Sequence, residues 1–461
     1  MEDLAEIAIS SALDEGVSFA DIRIEDTHKT QIEINNGVSK TSLGAQLKGA
    51  GIRCFIDGAW AFAQTSDFSP KGMKKAGQHV AQMALAIREW TAEKYQLIGP
   101  NFQDRVKIQV KQNLLDVPLE DKISLVQMLD QEIRAFDNRI MNARSIYQDL
   151  TTQLYVANSL GTRVWISNSL PRLILQIIAK ENGVRQRAWG QLAGRGGFEI
   201  INESKARKIA HDSAKLAIDL LSSKTIEGGT HDVVIDPRLN AAMVHEAFGH
   251  PCEADNWVAQ TTILEGMLGA QVGPEFLNLT DDPTQKNWRG SFEYDWEGTK
   301  AIKRNLVKDG VLTELMHSLE TASRLEMNPN GAARCQSFMY QPIPRMSNTF
   351  MEPGDWDVDE LISDMQKGIL LCDYNYGYTD SSKGQFMFQA NYGYLIEKGE
   401  KSHIVRDVSI AGQILDFLKK IDAIGKDFGM SAGTCGKANQ LIPDNSGGPH
   451  ARIRQVPVGG M

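Results

Sequence analysis

The chain has 461 residues, of which 42% are hydrophobic and 23% charged, and its 49 basic and 58 acidic residues give a net charge of −9. These values exclude a disordered or collagen-like chain, are typical of two or three globular domains, and disfavour a nucleic-acid partner. No stretch approaches the roughly 18–20 apolar residues that a membrane span needs. The acidic N-terminus is unlike a secretory signal, and the five scattered cysteines suit a reducing compartment. We therefore expect a cytoplasmic protein with neither a nucleic-acid nor a membrane partner.

The first half of the chain alternates between strand and helix patterns. Period-two alternation and Asn/Asp-Gly turns indicate strands and hairpins, whereas apolar residues three and four apart indicate helices. The predicted elements are, in chain order, strands at 20–26 and 31–35 with an Asn-Asn-Gly turn at 35–37, a hairpin at Asp57-Gly58, helices at about 70–90 and 118–136, an antiparallel meander at about 142–202, and a charged helix at about 203–222.

A glycine-rich break at 227–229 marks the predicted domain boundary. We expect an α+β subunit of two domains. Residues 1–226 are predicted to form an N-terminal domain of mixed helix and antiparallel sheet, and residues 227–461 a β-rich C-terminal domain that carries the candidate site. The last long helix is predicted at about 355–370. Composition alone would predict a frayed tail for the Gly- and Pro-rich residues 425–461.

The segment from His231 to Asp255 carries the main chemical motif. Residues 232–235 predict a short buried strand, after which Asp236 is a good N-cap and Pro237 a good first helical residue. The predicted helix extends to His245, which lies about two turns in.

His245, Glu246 and His250 form an HExxxH motif on this helix. Two histidines four residues apart, as in the HExxH motif of zinc peptidases, share one helix face, whereas five residues place them about 140° apart. The helix must therefore be distorted if both imidazoles bind one ion. Gly249 and Pro251 supply the means, and we expect a π-type bulge or a kink just before His250. The alternative is that both histidines are ordinary core or surface residues.

A catalytic zinc ion usually has three protein ligands, so a third must come from elsewhere. Cys252 and Glu253 are close in sequence, but Cys252 is more simply a small buried residue. His317 and His403 lie in stretches without other ligand signals. Cys435 is flanked by glycines that let the backbone bring its side chain close to another group. Spacing alone leaves an ordinary turn cysteine as the alternative.

The chain resembles the TldD half of the TldD/PmbA family of metallopeptidases, and the resemblance extends over nearly its whole length. It rests on four blocks, HEAFGHPCEAD at 245–255, DWEGTKAIKRNLVKDGVL at 295–312, PRMSNTF at 344–350 and GTCGKANQLIP at 433–443. The resemblance implies a Zn²⁺ ion held by His245, His250 and Cys435. It also implies that Glu246 is the general base that activates a zinc-bound water.

The same resemblance implies a dimeric protein that acts on peptides. Its partner would be an identical chain or a PmbA-type (TldE) paralogue, and its substrates small or unfolded peptides. We therefore predict a zinc-dependent metallopeptidase. Two alternatives remain, a catalytically silent binding or regulatory subunit of a TldD/PmbA-type complex and a zinc hydrolase of non-peptide amides. The retained HExxxH motif and Cys435 weigh against the silent subunit.

Overall fold

The computed structural model describes residues 1–460, which contain nine α-helices and 22 β-strands. Met461, the last residue of the predicted second domain, lies outside the described residues. No helix in the described chain is long and apolar enough to cross a membrane. The mixture of helices with largely antiparallel sheets confirms the predicted α+β class.

The first half of the chain forms one seven-stranded sheet and four helices. The strand order is β3-β2-β1-β5-β6-β4, with β7 paired to β6, and only the β4–β6 pair is parallel. The elements are α1 (Glu2–Leu13), β1 (Phe19–Asn35), β2 (Val38–Ile56), β3 (Ala59–Thr65), α2 (Pro70–Arg88), β4 (Gln103–Val106), α3 (Leu119–Phe136), β5 (Ile140–Asn158), β6 (Arg163–Glu181), β7 (Val184–Ala193) and α4 (Glu203–Asp219).

Most predicted elements of this half are confirmed, with one correction. The strands predicted at 20–26 and 31–35 are parts of the single strand β1, because residues 27–30 stay paired with β2 on one side and β5 on the other. Both predicted hairpin turns are present. Asn36 and Gly37 have φ of 50° and 78°, as a two-residue turn between twisted strands requires.

The two faces of this sheet have different neighbours. Ile22 and Ile24 of β1 pack against α1 and α2, whereas the alternate residues Arg23 and Glu25 are equally buried but polar. The polar face meets the second half of the chain, where the Glu25 carboxylate accepts a 2.7 Å hydrogen bond from the Phe338 N–H. Period-two alternation thus separates a helix-covered face from a face that is buried against the second half.

The second half contains two larger sheets and a small two-stranded one. Their strand orders are β15-β8-β22-β18-β16-β17 with β19 on β22, β11-β10-β9-β14-β21-β20, and β12-β13. The elements are β8 (Gly229–Ile235), α5 (Pro237–Ala242), α6 (Ala254–Val258), β9 (Leu279–Asp281), β10 (Arg304–Lys308), β11 (Val311–Leu312), α7 (Leu319–Arg324), β12 (Ala333–Arg334), β13 (Ile343–Pro344), β14 (Asn348–Met351), α8 (Val358–Ser363), β15 (Lys367–Asp380), β16 (Gln385–Glu397), β17 (Glu400–Val405), β18 (Ser409–Gln413), α9 (Ile414–Lys419), β19 (Ile421–Ile424), β20 (Gly429–Lys437), β21 (Gln440–Gly448) and β22 (Ala451–Gly459).

One expectation for this half, and one pattern of composition, differ from the structure. The long helix predicted at 355–370 is wrong, since α8 has six residues and β15 begins at Lys367. Residues 369–371 pair in parallel with β8, and this tertiary pairing overrides the local helical spacing. The C-terminal stretch whose composition is typical of a tail forms β20, β21 and β22 instead.

Candidate metal centre

The helix that carries the HExxxH motif begins as the sequence predicts. Asp236 caps α5 by accepting a 2.8 Å hydrogen bond from the Leu239 N–H, and the α-helix then changes into a π-helix over Met243–Gly249. The His250 N–H donates to the His245 carbonyl, which is the five-residue hydrogen bond of a π-helix. Residues five apart consequently lie above one another, as residues four apart do in an α-helix.

The π-helix brings the two imidazoles together. The ring centroids of His245 and His250 are 5.1 Å apart. The backbone passes close to Met346 at Gly249, where a Cβ would lie 2.1 Å from the Met346 Sδ unless that side chain moved. The predicted π-type distortion is therefore confirmed, and it begins further upstream than predicted, at Met243.

Cys435 reaches the two histidines from β20. Its Sγ lies 3.5 Å from the Nε2 of His250, and ligand atoms of His245, His250 and Cys435 all lie within 4.8 Å of one another. The other cysteine and histidines considered from the sequence lie in different surroundings. Cys252 is buried in the core, the His317 Nδ1 lies 3.3 Å from the Thr321 hydroxyl, and His403 is exposed beside Ser402.

Both imidazoles are held through their Nδ1 atoms. The Nδ1 of His245 lies 2.9 Å from the Ser446 hydroxyl and 3.1 Å from the Oδ2 of Asp444. The Nδ1 of His250 lies 2.8 Å from the Oε2 of Glu253. A carboxylate on one ring nitrogen fixes the orientation and tautomer of a histidine and leaves Nε2 available as a metal ligand.

Asp444 and Ser446 were not identified from the sequence. They lie on β21, where Asp444 pairs with Gly433 and Ser446 with Ser431. Because alternate residues of a strand share a face, both side chains lie on the same face of the hairpin as Cys435. The sequence signal that could have found them is the alternation of residues 442, 444 and 446 after a short turn. In the structure this turn is Ala438-Asn439, and both residues have positive φ.

A buried ionic network lies behind His250. Glu253 is fully buried and accepts a 2.9 Å hydrogen bond from the Lys437 Nζ, which also donates to Asp255 at 2.6 Å. Arg345 is buried as well, and it donates at 2.7 Å to the carbonyl oxygen of Cys435. These contacts fix the position of β20 relative to the π-helix.

The charges of the cluster influence one another strongly. Burial disfavours the protonated form of His250, but the Glu253 and Cys435 side chains outweigh it and raise the His250 pKa to about 10. Burial likewise disfavours a thiolate at Cys435, but the two histidines lower the Cys435 pKa to about 6. Lys437 and His250 overcome the effect of burial on Glu253 and lower its pKa to about 2. The cluster thus stabilises an anionic sulfur beside two imidazoles.

The donor set fits a zinc ion. Two imidazole nitrogens and one thiolate are ligands that zinc accepts, and tetrahedral coordination with ordinary Zn–N and Zn–S lengths separates a nitrogen from a sulfur by about 3.5 Å. The observed distance between the His250 Nε2 and the Cys435 Sγ is 3.5 Å.

Glu246 lies in a cleft next to these ligands. The cleft has a volume of about 190 Å³, and Glu246 lines it together with His245, Cys435 and Tyr374. The Glu246 side chain is half-buried, and no cation forms a salt bridge with it within residues 1–460. Its carboxylate is therefore available to a molecule in the cleft.

Models of known protein domains match most of this chain. Models of three metallopeptidase domains match it in succession, PmbA/TldA metallopeptidase domain 1 at residues 20–87, the central domain at 112–221 and the C-terminal domain at 228–460. The chain belongs to the PmbA/TldD family of metallopeptidases.

Relatives and a solved structure cover almost the whole chain. A protein named "Metalloprotease" from Methanothermobacter thermautotrophicus is 34% identical over 452 residues, or 97% of each chain. A "Zinc metalloprotease TldD homolog" from Saccharolobus solfataricus is 28% identical over 454 residues, which are 98% of this chain and 99% of that protein. The crystal structure of TldE from Thermococcus kodakarensis has the same fold, with a TM-score of 0.80 at 16% identity over 99% of this chain and 100% of that one.

Proposed function

We propose that this protein is a zinc-dependent metallopeptidase that hydrolyses peptide bonds in small or unfolded peptides. The observation that carries the proposal is the convergence of His245, His250 and Cys435, whose ligand atoms lie within 4.8 Å of one another beside the Glu246 cleft. Membership of a metallopeptidase family and relatives named as metalloproteases support it.

His245, His250 and Cys435 would hold the ion, and Asp444 and Glu253 would keep the two imidazoles in the ligating tautomer. When bound, a zinc ion polarises the scissile carbonyl and makes a water molecule more acidic at neutral pH. The supporting carboxylates act before any substrate arrives, because they fix both rings in the folded protein.

Glu246 is the proposed general base. It directly follows His245, and its carboxylate faces the cleft without a cationic partner among the described residues. In this position it takes a proton from the attacking water and passes it to the departing amine, after which the carboxylate is regenerated. Proton transfer of this kind contributes roughly 10²–10⁴-fold to the rate of hydrolysis.

The surroundings of the cleft favour a peptide over a small amide. β20 is the outermost strand of its sheet, and residues 431–436 of this strand line the cleft. An extended peptide can lie along such an edge strand and form backbone hydrogen bonds without a particular side-chain sequence. A flexible or unfolded peptide satisfies this requirement, whereas a folded protein surface does not.

We also propose that the protein acts in the cytoplasm as a homodimer or as a heterodimer with a PmbA-type paralogue. The support is the fold shared with TldE together with family membership. Light scattering of the purified chain, alone and mixed with such a paralogue, separates the two assemblies. A chain that stays monomeric in both conditions contradicts this part of the proposal.

The peptidase proposal is tested by metal analysis and peptide cleavage on the same preparation. We expect about one zinc per chain, cleavage of unstructured peptides, little hydrolysis of small acyl amides, and loss of cleavage in Glu246→Ala. Glu265→Ala, a change at an exposed glutamate away from the cleft, serves as the control. A zinc-free purified chain, or cleavage that persists unchanged in Glu246→Ala, contradicts the proposal.

A further inference from the structure

A second cavity borders the β20–β21 hairpin. It has a volume of about 390 Å³ and is lined by β1, β5 and β6 of the first half and by the second half, including Arg289, Phe292 and Ile442. Thr434, the neighbour of Cys435, lines both this cavity and the cleft at the candidate metal centre. Its volume is within the range of ligand-binding cavities, and the shared residue connects it to the proposed site of cleavage.

Arg289 is a buried cation of this cavity that lacks a partner. Its side chain is 6% exposed, and its Nε and Nη1 have no hydrogen-bond partner among residues 1–460. No carboxylate of the described chain forms a salt bridge with it. A buried guanidinium in this state is costly, because it has lost water without gaining an acceptor.

The other buried charged residues of the cavity are already engaged. Arg334 donates to two backbone carbonyls at 2.7 and 2.6 Å. The Glu25 carboxylate accepts from Thr27 and from a backbone N–H, and Asp149 accepts from Lys122 at 2.7 Å. Arg289 is therefore the buried lining charge whose hydrogen-bonding capacity remains for a ligand.

The electrostatic surroundings of Arg289 favour an incoming anion. Burial and the charges of Arg172 and Arg334 lower the pKa of Arg289 to about 9, and the opposing effect of the Asp444 carboxylate does not restore it. The Arg289 backbone N–H donates to the side chain of Asn445, the residue between Asp444 and Ser446. This hydrogen bond holds the backbone of Arg289 beside the strand that supports His245.

We propose that Arg289 binds a carboxylate of the substrate, so that the protein prefers peptides with a free carboxylate to otherwise identical neutral peptides. The proposal rests on the proposed peptidase function and adds a substrate class to it. A guanidinium presents two parallel N–H groups to a carboxylate, and such a bidentate pairing through Nη2 would give an acceptor to one of the two donors that lack a partner. The carboxylate can come from the peptide C-terminus or from an Asp or Glu side chain.

The test measures peptide binding in the Glu246→Gln background, where no turnover is needed. Three fluorescently labelled versions of one unstructured peptide are compared, one with a C-terminal carboxylate, one with a C-terminal amide, and one amide with a Glu near its end. We expect the neutral amide to bind roughly 30-fold more weakly than the carboxylate peptide, which is typical of losing one partner of a buried charge pair. Restored affinity of the Glu-containing amide identifies a side chain as a source of the carboxylate, and unrestored affinity identifies the C-terminus.

Variants at Arg289 assign the preference to this residue. Arg289→Met should abolish the difference between the carboxylate and amide peptides, whereas Arg289→Lys, which keeps the charge without the fork, should retain part of it. Lys29→Met removes a positive charge from an exposed residue of the same cavity and should leave the preference intact. Thermal unfolding and zinc content of each variant show whether it is folded. If Arg289→Met does not fold, Arg289→Lys still tests the preference.

Two results would overturn the assignment. Equal affinity of the parent protein for the carboxylate and amide peptides removes the proposed preference, and an Arg289→Met variant that weakens both peptides equally indicates a purely structural role. Failure of the peptidase proposal looks different. In that case the otherwise wild-type chain cleaves neither peptide while the Arg289-dependent binding preference persists, whereas equal cleavage of both peptides supports the peptidase and contradicts the carboxylate site.

Discussion

The π-helix Met243–Gly249 and the β20–β21 hairpin contribute to the proposed centre in different ways. The π-helix and the residue after it bring His245, Glu246 and His250 together through a local distortion of the backbone. The hairpin carries Cys435, which follows His250 by 185 residues and is the proposed sulfur ligand, together with the two groups that contact His245. The first region can form its ligand pair locally, but the second depends on the folding of the entire C-terminal half.

The two regions divide the proposed roles of metal binding and proton transfer. The helical region contains the proposed base, whereas the hairpin contains a proposed metal ligand and no group that we assign to proton transfer. A variant of Glu246 should therefore keep the metal and lose catalysis, whereas a variant of Cys435 should lose the metal itself.

Replacement of Glu246 by Gln should affect the chemistry alone. The variant lacks a base but keeps all three proposed ligands, so we expect kcat for peptide cleavage to fall roughly 10²–10⁴-fold with zinc content unchanged. Steady-state kinetics and metal analysis of the same sample check this outcome, with Glu265→Gln as the exposed control. Loss of zinc together with activity would show that the two regions do not divide these roles.

Replacement of Cys435 by Ser should affect metal binding itself. A hydroxyl is a much weaker zinc ligand than a thiolate, so zinc affinity should fall by more than the roughly 100-fold typical of a supporting residue. Competition with a chromophoric chelator measures the change. Cys372→Ala, at a buried cysteine in another hydrophobic cluster, is the matched control and should retain zinc. Unchanged affinity in Cys435→Ser would remove the hairpin from the ligand set.

Asp444→Asn tests the support that the hairpin gives to the helical region. The change removes the negative charge beside the Nδ1 of His245 while keeping the size of the side chain, and zinc affinity should fall about 10–100-fold. Glu253→Gln makes the corresponding change at His250 from within the same chain segment. If neither variant changes zinc affinity, the carboxylates do not orient the ligands.

Gly249→Ala should have the smallest effect, on stability. A Cβ there would approach the Met346 Sδ to 2.1 Å, but Met346 has a flexible side chain that can move. We expect a loss of about 1–3 kcal/mol in the free energy of unfolding, measured by denaturant titration. A double-mutant cycle with Met346→Ala should show that the two changes are less than additive. Full additivity would mean that this contact is not the source of strain.

The sequence predicted the helical region better than the hairpin for a physical reason. The cap at Asp236, the spacing of the two histidines and the breakers Gly249 and Pro251 lie within one short segment, so local backbone chemistry determines the distortion. For the fold, the long period-two strands and the capped helices of the first half were predictable in the same way. The merged strand β1 was not, because its continuity depends on pairing with two neighbours.

The rest of the candidate site depends on contacts between distant segments. Neither spacing nor composition indicates that Asp444 faces His245 or that Arg345 binds the carbonyl of Cys435. The same reason explains the wrong helix at 355–370, where parallel pairing with β8 selected a strand. Cys435 itself was identified through the family resemblance, and its flanking glycines alone left two interpretations open.

X-ray absorption at the zinc edge of the purified, zinc-loaded protein tests the central claim most directly, because it reports which atoms surround the ion. For a site formed by His245, His250 and Cys435 it should show one sulfur at about 2.3 Å with nitrogen or oxygen neighbours at about 2.0–2.1 Å. The sulfur contribution should disappear in a zinc-loaded Cys435→Ser sample. A wild-type spectrum without sulfur, or one that is unchanged by Cys435→Ser, would contradict the proposed centre.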